Sequence, residues 1–197
     1  MVVGQLRGLE MKVVEIFDSI QGEGEYMGIM CTFVRFAGCN LSCPFCDEAK
    51  KYGKAKEMTI EKIVKKCEQK IVVLTGGEPT IQPQLEELVK ALQAAHHHVH
   101  LETNGTNAID YFIEWITVSP KAPKYECKCL YNEVKLVVSE DLTLEQALAH
   151  TCGQPVWLQP CDGPWLEQSK KTILKWIKKY PDLFRAGIQL HKYYGAQ

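Results

Sequence analysis

Three cysteines within eight residues are the strongest chemical signal in this sequence. Cys39, Cys43 and Cys46 follow a C-x3-C-x2-C spacing, and thiolates this close together can bind three irons of a cubane iron–sulfur cluster. Electron-transfer ferredoxins close such a cluster with a fourth cysteine, and none follows here at short range. One iron would therefore stay open to a small ligand, as the metal does in catalytic zinc sites.

An open iron of this kind could chelate the amino and carboxylate groups of S-adenosylmethionine and deliver an electron to its sulfonium. The alternative is a zinc site built from the same three cysteines and a distant fourth ligand. Zinc sites favour paired C-x2-C elements, whereas three and then two residues separate the ligands here. The spacing therefore favours a [4Fe–4S] cluster.

Strands and helices alternate through most of the chain. Runs rich in β-branched and aromatic residues predict strands, and apolar residues at helical spacing predict helices. The predicted strands are residues 12–17, 31–36, 71–74, 99–102, 115–118, 133–138 and 156–158. Four helices are predicted: one that begins at Thr59, and others around residues 85–92, 142–150 and 165–180. Residues 39–57 show no periodicity and are predicted to form a long functional loop. The alternation indicates parallel βα units.

Glycine, proline and polar residues follow four predicted strands, at residues 75–79, 102–105, 119–121 and 159–163. Ligands bind at the carboxyl ends of strands in such folds, so these turns and the cysteine loop should surround one site. A complete eight-unit barrel needs about 250 residues, and the chain has 197. The predicted fold is therefore α/β, a partial, open (β/α) barrel.

Composition excludes several classes of protein. With 23 basic and 24 acidic residues, no basic field for nucleic acid is visible. No apolar stretch approaches the roughly 18 residues of a membrane span, and no signal-peptide core is found near the start. We expect a cytoplasmic protein that binds neither nucleic acid nor membrane. Residues 1–10 are interpreted as an N-terminal extension, and residues 11–197 as a single domain.

The cysteine loop resembles that of the radical S-adenosylmethionine superfamily, whose signature is C-x3-C-x2-C. The TGGEP segment at residues 75–79 resembles the superfamily's glycine-rich loop, in which close backbone approach and unpaired N–H and C=O groups would bind the cofactor. Further segments are similar to the 7-carboxy-7-deazaguanine synthase family, in the same order from about residue 12 to the C-terminus. They are FDSIQGEG at 17–24, VRFAGCNL at 34–41, CD at 46–47, ETNG at 102–105, SPK at 119–121, QP at 159–160 and LHK at 190–192.

This resemblance implies conversion of 6-carboxy-5,6,7,8-tetrahydropterin to 7-carboxy-7-deazaguanine and ammonia by radical ring contraction, in the biosynthesis of queuosine and other deazapurines. It implies a [4Fe–4S] cluster on Cys39, Cys43 and Cys46, S-adenosylmethionine, an electron donor such as a flavodoxin or ferredoxin, and a homodimer. The implied pterin contacts are Ile20, Gln21, Gly22, Arg35 and Thr75, with Arg35 clamping the carboxylate. The implied cofactor contacts are Phe45, Cys46, Asp47, Gly77, Glu102, Ser119, Pro120, Lys121, Gln159, Pro160, Cys161 and Asp162.

The sequence departs from the family at Glu48, where members often carry a Thr or Ser that helps to bind Mg²⁺. A carboxylate is also an oxygen ligand suited to Mg²⁺, so Glu48 is a candidate magnesium ligand. Cys161 and the residues from 193 onward also differ from the family. On pattern alone, Arg35 fits a surface salt bridge equally well.

Other clusters are interpreted more simply. The histidines at 96–98 and 100 are expected to be solvated rather than metal ligands, and Cys31 and Cys67 to be small buried hydrophobic residues. Cys127, Cys129 and Cys152 could hold a second cluster or a zinc ion, although their spacing fits neither well. Two further functions stay open: a glycyl-radical activase, which would act on a protein, and a zinc-dependent binding module.

Overall fold

The computed structural model describes residues 10–43, 46, 49–121, 127–151 and 153–196. Its strands are β1 (Glu10–Ile20), β2 (Met30–Phe36), β3 (Lys56–Thr59), β4 (Ile71–Gly76), β5 (His98–Thr103), β6 (Trp115–Val118), β7 (Glu133–Val138), β8 (Val156–Pro160) and β9 (Phe184–Ala186). Its α-helices are α1 (Ile60–Lys66), α2 (Leu85–Ala94), α3 (Leu144–Leu148), α4 (Leu166–Lys179) and α5 (Leu190–Tyr193).

Within these described ranges the strands form one open sheet in the order β3-β1-β2-β4-β5-β6-β7-β8-β9. Strand β1 pairs antiparallel with both β2 and β3, and every pair from β2–β4 to β8–β9 is parallel. The carboxyl ends of seven strands therefore meet at one edge. The predicted partial, open (β/α) barrel is confirmed.

Each strand sends alternate side chains to opposite faces, because the side-chain period of a strand is two residues. In β7, Val134, Leu136 and Val138 pack into a core beneath helices α3 and α4, whereas Lys135 and Val137 line a cavity on the other face. The same alternation in β2, β4 and β5 buries apolar residues against α1 and α2. One face of the sheet thus holds the main core, and the other combines a small apolar cluster of Cys31, Phe33 and Val73 with the polar side chains that line the cavity.

Helix starts follow the expected capping chemistry. The Thr59 side chain accepts a hydrogen bond from Lys62 N–H at the start of α1, and Thr143 forms a capping box with Gln146 at α3. The helices predicted from apolar spacing are confirmed, and so are the buried positions of Cys31 and Cys67.

Several sequence predictions need correction. The short elements β3, β9 and α5 were not predicted, and β3 begins inside the segment interpreted as a loop. Glu10, assigned to the N-terminal extension, is the first residue of β1. In the described part of the chain, no helix lies between β5 and β6 or between β6 and β7.

One residue of the histidine tract differs from expectation, whereas His96 and His98 are exposed as expected. His98 and His100 belong to β5, and His100 is buried against Tyr26 rather than solvated, with ring centroids 4.4 Å apart. Burial lowers the pKa of His100 to about 4. Among the helices that the structure describes, none is long and apolar enough to cross a membrane.

Candidate active site

A cavity of about 460 Å³ opens at the carboxyl ends of the parallel strands. Its wall includes Cys39, Cys43 and Cys46, together with the ends of β4, β5 and β8 and the segment after β6. The four predicted strand-end turns and the cysteine loop therefore surround one space. Of the predicted cofactor contacts, the lining residues are Cys46, Gly77, Glu102, Ser119, Lys121, Gln159, Pro160, Cys161 and Asp162. Pro120 is not among them, and Phe45, Asp47 and Glu48 lie outside the described residues.

A second cavity, of about 270 Å³, adjoins the first. All five predicted pterin contacts line it: Ile20, Gln21, Gly22, Arg35 and Thr75. The two cavities share wall residues on β4, on β5, in the chain after β1 and at α5: Glu23, Thr75, Gly76, Glu102, Gln189 and Lys192. The structure therefore brings the two predicted sets together on either side of a common wall.

The start of the cysteine loop is tied to the end of β5. The Asn40 side-chain oxygen accepts a hydrogen bond from Asn104 Nδ2 at 2.9 Å, and Asn40 Nδ2 donates to Thr106 Oγ1 at 2.8 Å. Leu41 N–H points to Cys39 Sγ at 3.4 Å. Burial raises the pKa of the Cys43 thiol, and the charge of Lys121 opposes that shift.

The glycine-rich turn after β4 packs directly under this loop. A Cβ on Gly77 would lie 1.8 Å from the carbonyl oxygen of Gly38, so only glycine permits this approach. The N–H groups of Gly77 and Glu78 donate to the carbonyls of Phe36 and Gly38, at 3.1 and 2.9 Å. This corrects the expectation that the turn's N–H groups are unpaired: these two hold the cysteine loop against the sheet.

Glu78 is fully buried and connects this turn to β5. Its carboxylate accepts four hydrogen bonds, from Thr80 N–H and Oγ1 and from Thr103 Oγ1 and Asn104 N–H, at 2.6 to 3.1 Å. A buried carboxylate with this many donors is well compensated for its loss of water. The carboxylate therefore fixes two strand ends relative to each other.

Arg35 forms an ion pair, as the sequence pattern allowed, but with a residue of the neighbouring strand β1 and in a largely buried position rather than on the surface. Its Nε lies 2.8 Å from Glu15 Oε1, its guanidinium carbon lies 5.6 Å from the centroid of the Phe17 ring, and the residue also lines the second cavity. The ion pair and a ligand-facing position therefore occur together. Both contacts fix the plane in which the guanidinium lies.

The shared wall brings together three charged residues, Glu23, Glu102 and Lys135. Of these, only Glu102 was predicted from the sequence, as a cofactor contact. Lys135 forms an ion pair with Glu23 and lies 3.9 Å from Glu102 Oε2. Gln21 and Thr75 donate to Glu102 at 3.2 and 3.3 Å. Glu23 and Lys135 were missed. The available signal was a lysine placed between apolar residues of a predicted strand, Val134 and Leu136, where a charged side chain is rare unless it is paired.

Lys121 projects into the first cavity beside the cysteines. Its Nζ donates to Ser119 Oγ at 2.7 Å. Burial lowers the pKa of Lys121, and the nearby charge of Lys135 lowers it further. Two buried ammonium groups thus face the first cavity.

Comparison with known proteins agrees with this architecture. Residues 33–135 match the model of the Radical SAM superfamily. A 7-carboxy-7-deazaguanine synthase of Haemophilus influenzae is 34% identical over 94% of this chain and 93% of its own length, and one of Burkholderia multivorans is 36% identical over 92% and 96%. The chain belongs to the 7-carboxy-7-deazaguanine synthase family. The crystal structure of QueE from Escherichia coli shares the fold, with a TM-score of 0.76 at 23% identity, covering 94% of this chain and 96% of that one.

Membership of the radical SAM superfamily implies a [4Fe–4S] cluster and S-adenosylmethionine, and the residues of the first cavity fit both groups. The three cysteines are free thiols on one wall. In the described ranges, no three His, Cys, Asp or Glu side chains converge on a position for a single metal ion. A cubane binds each thiolate through a different iron, and three thiolates on one wall are a donor set that fits such a cluster. The cavity volume lies in the usual range of ligand sites, roughly 300–1,000 Å³.

The structure adds little support for a second metal site on Cys127, Cys129 and Cys152. Cys127 and Cys129 lie with their Sγ atoms 3.7 Å apart, and burial raises the pKa of Cys129 to about 12. Cys152 lies outside the described residues. A second site on these three cysteines stays untested.

Proposed function

We propose that this protein is a 7-carboxy-7-deazaguanine synthase, which converts 6-carboxy-5,6,7,8-tetrahydropterin to 7-carboxy-7-deazaguanine with release of ammonia. The observation that carries the proposal is the pair of joined cavities. Cysteines for a cluster lie at one end, the predicted pterin contacts lie at the other, and a polar wall is shared between them. A glycyl-radical activase would act on a protein and has no need for a polar cavity of this size.

When bound, the cluster and S-adenosylmethionine supply the electron and the carbon radical with which the reaction begins. The chain's own residues bind and orient. Gln21 and Thr75 contact Glu102 at the shared wall, where they would meet the pterin ring. Arg35, held by Glu15 and Phe17, would bind the substrate carboxylate through its planar fork.

The finer assignments belong to the same proposal. S-adenosylmethionine would contact the strand ends in the first cavity, including Gly77, Ser119 and residues 159–162. Glu48 would bind Mg²⁺ through its carboxylate, since Mg²⁺ prefers oxygen ligands. A flavodoxin or ferredoxin would supply the electron, and we propose a cytoplasmic homodimer.

Anaerobic reconstitution with iron and sulfide tests this proposal. The protein is mixed with S-adenosylmethionine, a strong reductant and 6-carboxytetrahydropterin, with and without Mg²⁺, and products are identified by mass spectrometry. We expect 7-carboxy-7-deazaguanine, and a dependence on Mg²⁺ that Glu48→Ala weakens. Formation of 5′-deoxyadenosine without deazaguanine would retain the radical chemistry but reject the pterin substrate. A colourless protein that holds zinc would reject both.

A further inference from the structure

The wall between the two cavities contains a buried cation that no predicted role uses. Lys135, on β7, is about nine-tenths buried. Its ammonium forms an ion pair with Glu23, in the chain after β1, and lies 3.9 Å from Glu102 Oε2 on β5. Both glutamates line both cavities, whereas Lys135 lines the cysteine side. Three separate segments of the fold thus meet at one ammonium.

Burial of these charges has a cost that packing alone does not explain. A lysine taken from water loses hydration, and an apolar side chain of similar volume would often serve stability equally well. Here burial acts to lower the pKa of Lys135, but the surrounding carboxylates of Glu102, Glu23 and Glu133 overcome it and the pKa is raised. Lys135 therefore stays protonated across the physiological range and is unsuited to donate or accept a proton.

The Glu102 carboxylate and the Glu23 backbone in turn determine the orientation of a predicted substrate contact. The Gln21 side chain donates from Nε2 to Glu102 Oε1 at 3.2 Å, and its Oε1 accepts from Glu23 N–H at 3.2 Å. Thr75 Oγ1 donates to Glu102 at 3.3 Å, and Gln189 Nε2 donates to Glu23 at 2.9 Å. The direction of the Gln21 amide thus depends on the position of both glutamates.

We propose that Lys135 is a positioning residue for the second cavity, whose ammonium fixes the carboxylates of Glu23 and Glu102 and, through Glu102, orients Gln21 and Thr75 toward the pterin. The inference deepens the proposed function and rests on it. Lys135 acts through these neighbours and takes no part in proton transfer. Two carboxylates that converge without a cation would not both stay ionised in a buried site.

Other charged groups face the same region and must be separated from this effect. Glu133 lies on the same strand and is bound by Thr117 Oγ1 and Glu25 N–H, at 2.7 and 2.9 Å. Lys121 approaches from the segment after β6, and His191 and Lys192 approach from α5. A substitution at Lys135 leaves these side chains in place, but besides burial the Lys135 charge also lowers the pKa of Lys121 and of His191. Because Lys135→Arg keeps that charge and Lys135→Met removes it, the comparison of the two variants isolates the effect of the charge.

The test compares Lys135→Met, which removes the charge, with Lys135→Arg, which keeps it. Binding of 6-carboxytetrahydropterin is measured by anaerobic calorimetry from pH 5 to 9, on reconstituted protein with S-adenosylmethionine and no reductant, and kcat and KM are measured in parallel. Thr32→Val is the matched control. Thr32 is equally buried and its Oγ1 bonds to Asp18 and to the backbone at Glu68 and Gln69, but it does not line either cavity.

We expect Lys135→Met to weaken binding about tenfold at pH 7.5 and to move the acid limb of binding up by about one pH unit. Burial acts to raise the pKa of Glu23 and the Lys135 ammonium lowers it, so Glu23 takes up a proton at higher pH once that charge is gone. Lys135→Arg should return the acid limb to its original position. Thr32→Val should lower the melting temperature and leave the acid limb of binding unchanged. If Lys135→Met does not fold, Lys135→Met/Glu23→Gln removes one charge of each sign. Weaker binding at pH 7.5 is expected there as well, because Glu102 still lacks the ammonium that holds it.

The possible failures can be told apart. An active wild-type enzyme whose Lys135→Met variant melts at a lower temperature but binds with an unchanged acid limb would overturn the positioning role and leave the proposed function intact. Failure of Lys135→Arg to restore the limb would overturn it as well. A wild-type protein that neither binds nor converts the pterin would instead overturn the function on which the inference rests.

Discussion

The turn after β4 can contact the cysteine loop because it contains Gly76 and Gly77, which have no Cβ. Gly76 has a φ of +123°, and an added Cβ there would lie 2.3 Å from the Phe36 carbonyl oxygen. Gly77 approaches Gly38, the residue before Cys39, even more closely. At both positions the obstacle is backbone, which cannot rotate away as a side chain can.

Gly77→Ala therefore displaces the first cluster ligand. We expect a loss of about 2 kcal/mol or more in the free energy of unfolding, as for other overpacked sites, and a lower iron content after reconstitution. Gly53→Ala is the matched control, because no atom lies within 4 Å of its added Cβ. Iron analysis and denaturant unfolding measure both effects. A Gly77→Ala protein that binds iron like Gly53→Ala would show that the loop tolerates the displacement.

Glu78→Gln tests the junction between β4 and β5 at the same scale. An amide keeps the shape of the carboxylate but replaces one acceptor oxygen by an NH₂ donor. In either orientation this NH₂ group would face a hydrogen-bond donor of Thr80, Thr103 or Asn104. We expect a cost of roughly 2 kcal/mol, measured by urea denaturation. Glu86→Gln, which breaks only an exposed ion pair with Lys90, should stay within about 0.5 kcal/mol. Equal effects for the two variants would contradict the role assigned to Glu78.

At the scale of elements, strands β6 and β7 could be predicted with their observed bounds, because β-branched and apolar residues mark them continuously. The short elements β3, β9 and α5 have three or four residues each and exist through their pairing and packing partners, which a local pattern does not contain. The strand ends that surround the cavity were predictable from the parallel arrangement. The charges at Glu23 and Lys135 were not, because they are 112 residues apart and meet only through the sheet.

His100 shows how the packing of elements changes a residue's chemistry. Tyr26, in the connection between β1 and β2, packs edge-on against His100 of β5 and Trp115 of β6, with centroids 4.4 and 4.9 Å away. Burial, aided by His98, lowers the pKa of His100 from 6.5 to about 4. The expectation of solvated histidines holds for His96 and His98, which are exposed, and was wrong for His100. Nothing local to residues 96–100 indicates that Tyr26 covers His100.

This shift makes folding stability depend on pH. Below pH 6.5 the unfolded chain binds a proton at His100, whereas the folded chain stays neutral until about pH 4. The contribution of His100 is therefore complete above pH 6.5 and is lost as the pH falls toward 4, by up to about 3 kcal/mol. His100→Phe keeps an aromatic contact and removes the titration, so its stability should fall less across that interval. Urea unfolding at pH 7.0, 5.5 and 4.5 measures the difference, and parallel curves for the two proteins would exclude His100 as the titrating group.

At the scale of the whole molecule, the C-terminal segment meets the chain after β1 beside the second cavity. Leu190 N–H of α5 donates to the Gly22 carbonyl at 2.9 Å, and a Cβ on Gly22 would lie 1.8 Å from His191 Nδ1. Gln189 bonds to Glu23, and Lys192 bonds to Asp162 at 2.5 Å. The C-terminal segment therefore covers the cavity from one side and contacts both β1 and the segment after β8.

Removal of residues 188–197 tests whether this segment serves the site or the fold. None of the three core clusters includes a described residue after Phe184, so the melting temperature and the iron content should change little. Binding of the pterin should weaken about tenfold or more, because the cavity loses a wall and admits water. Lys171→Glu/Lys175→Glu, on the exposed face of α4, controls for a change of surface charge. A truncated protein that retains its affinity for the pterin would place the substrate-binding surface entirely on the sheet, whereas a large fall in melting temperature would make the C-terminal segment part of the folding unit.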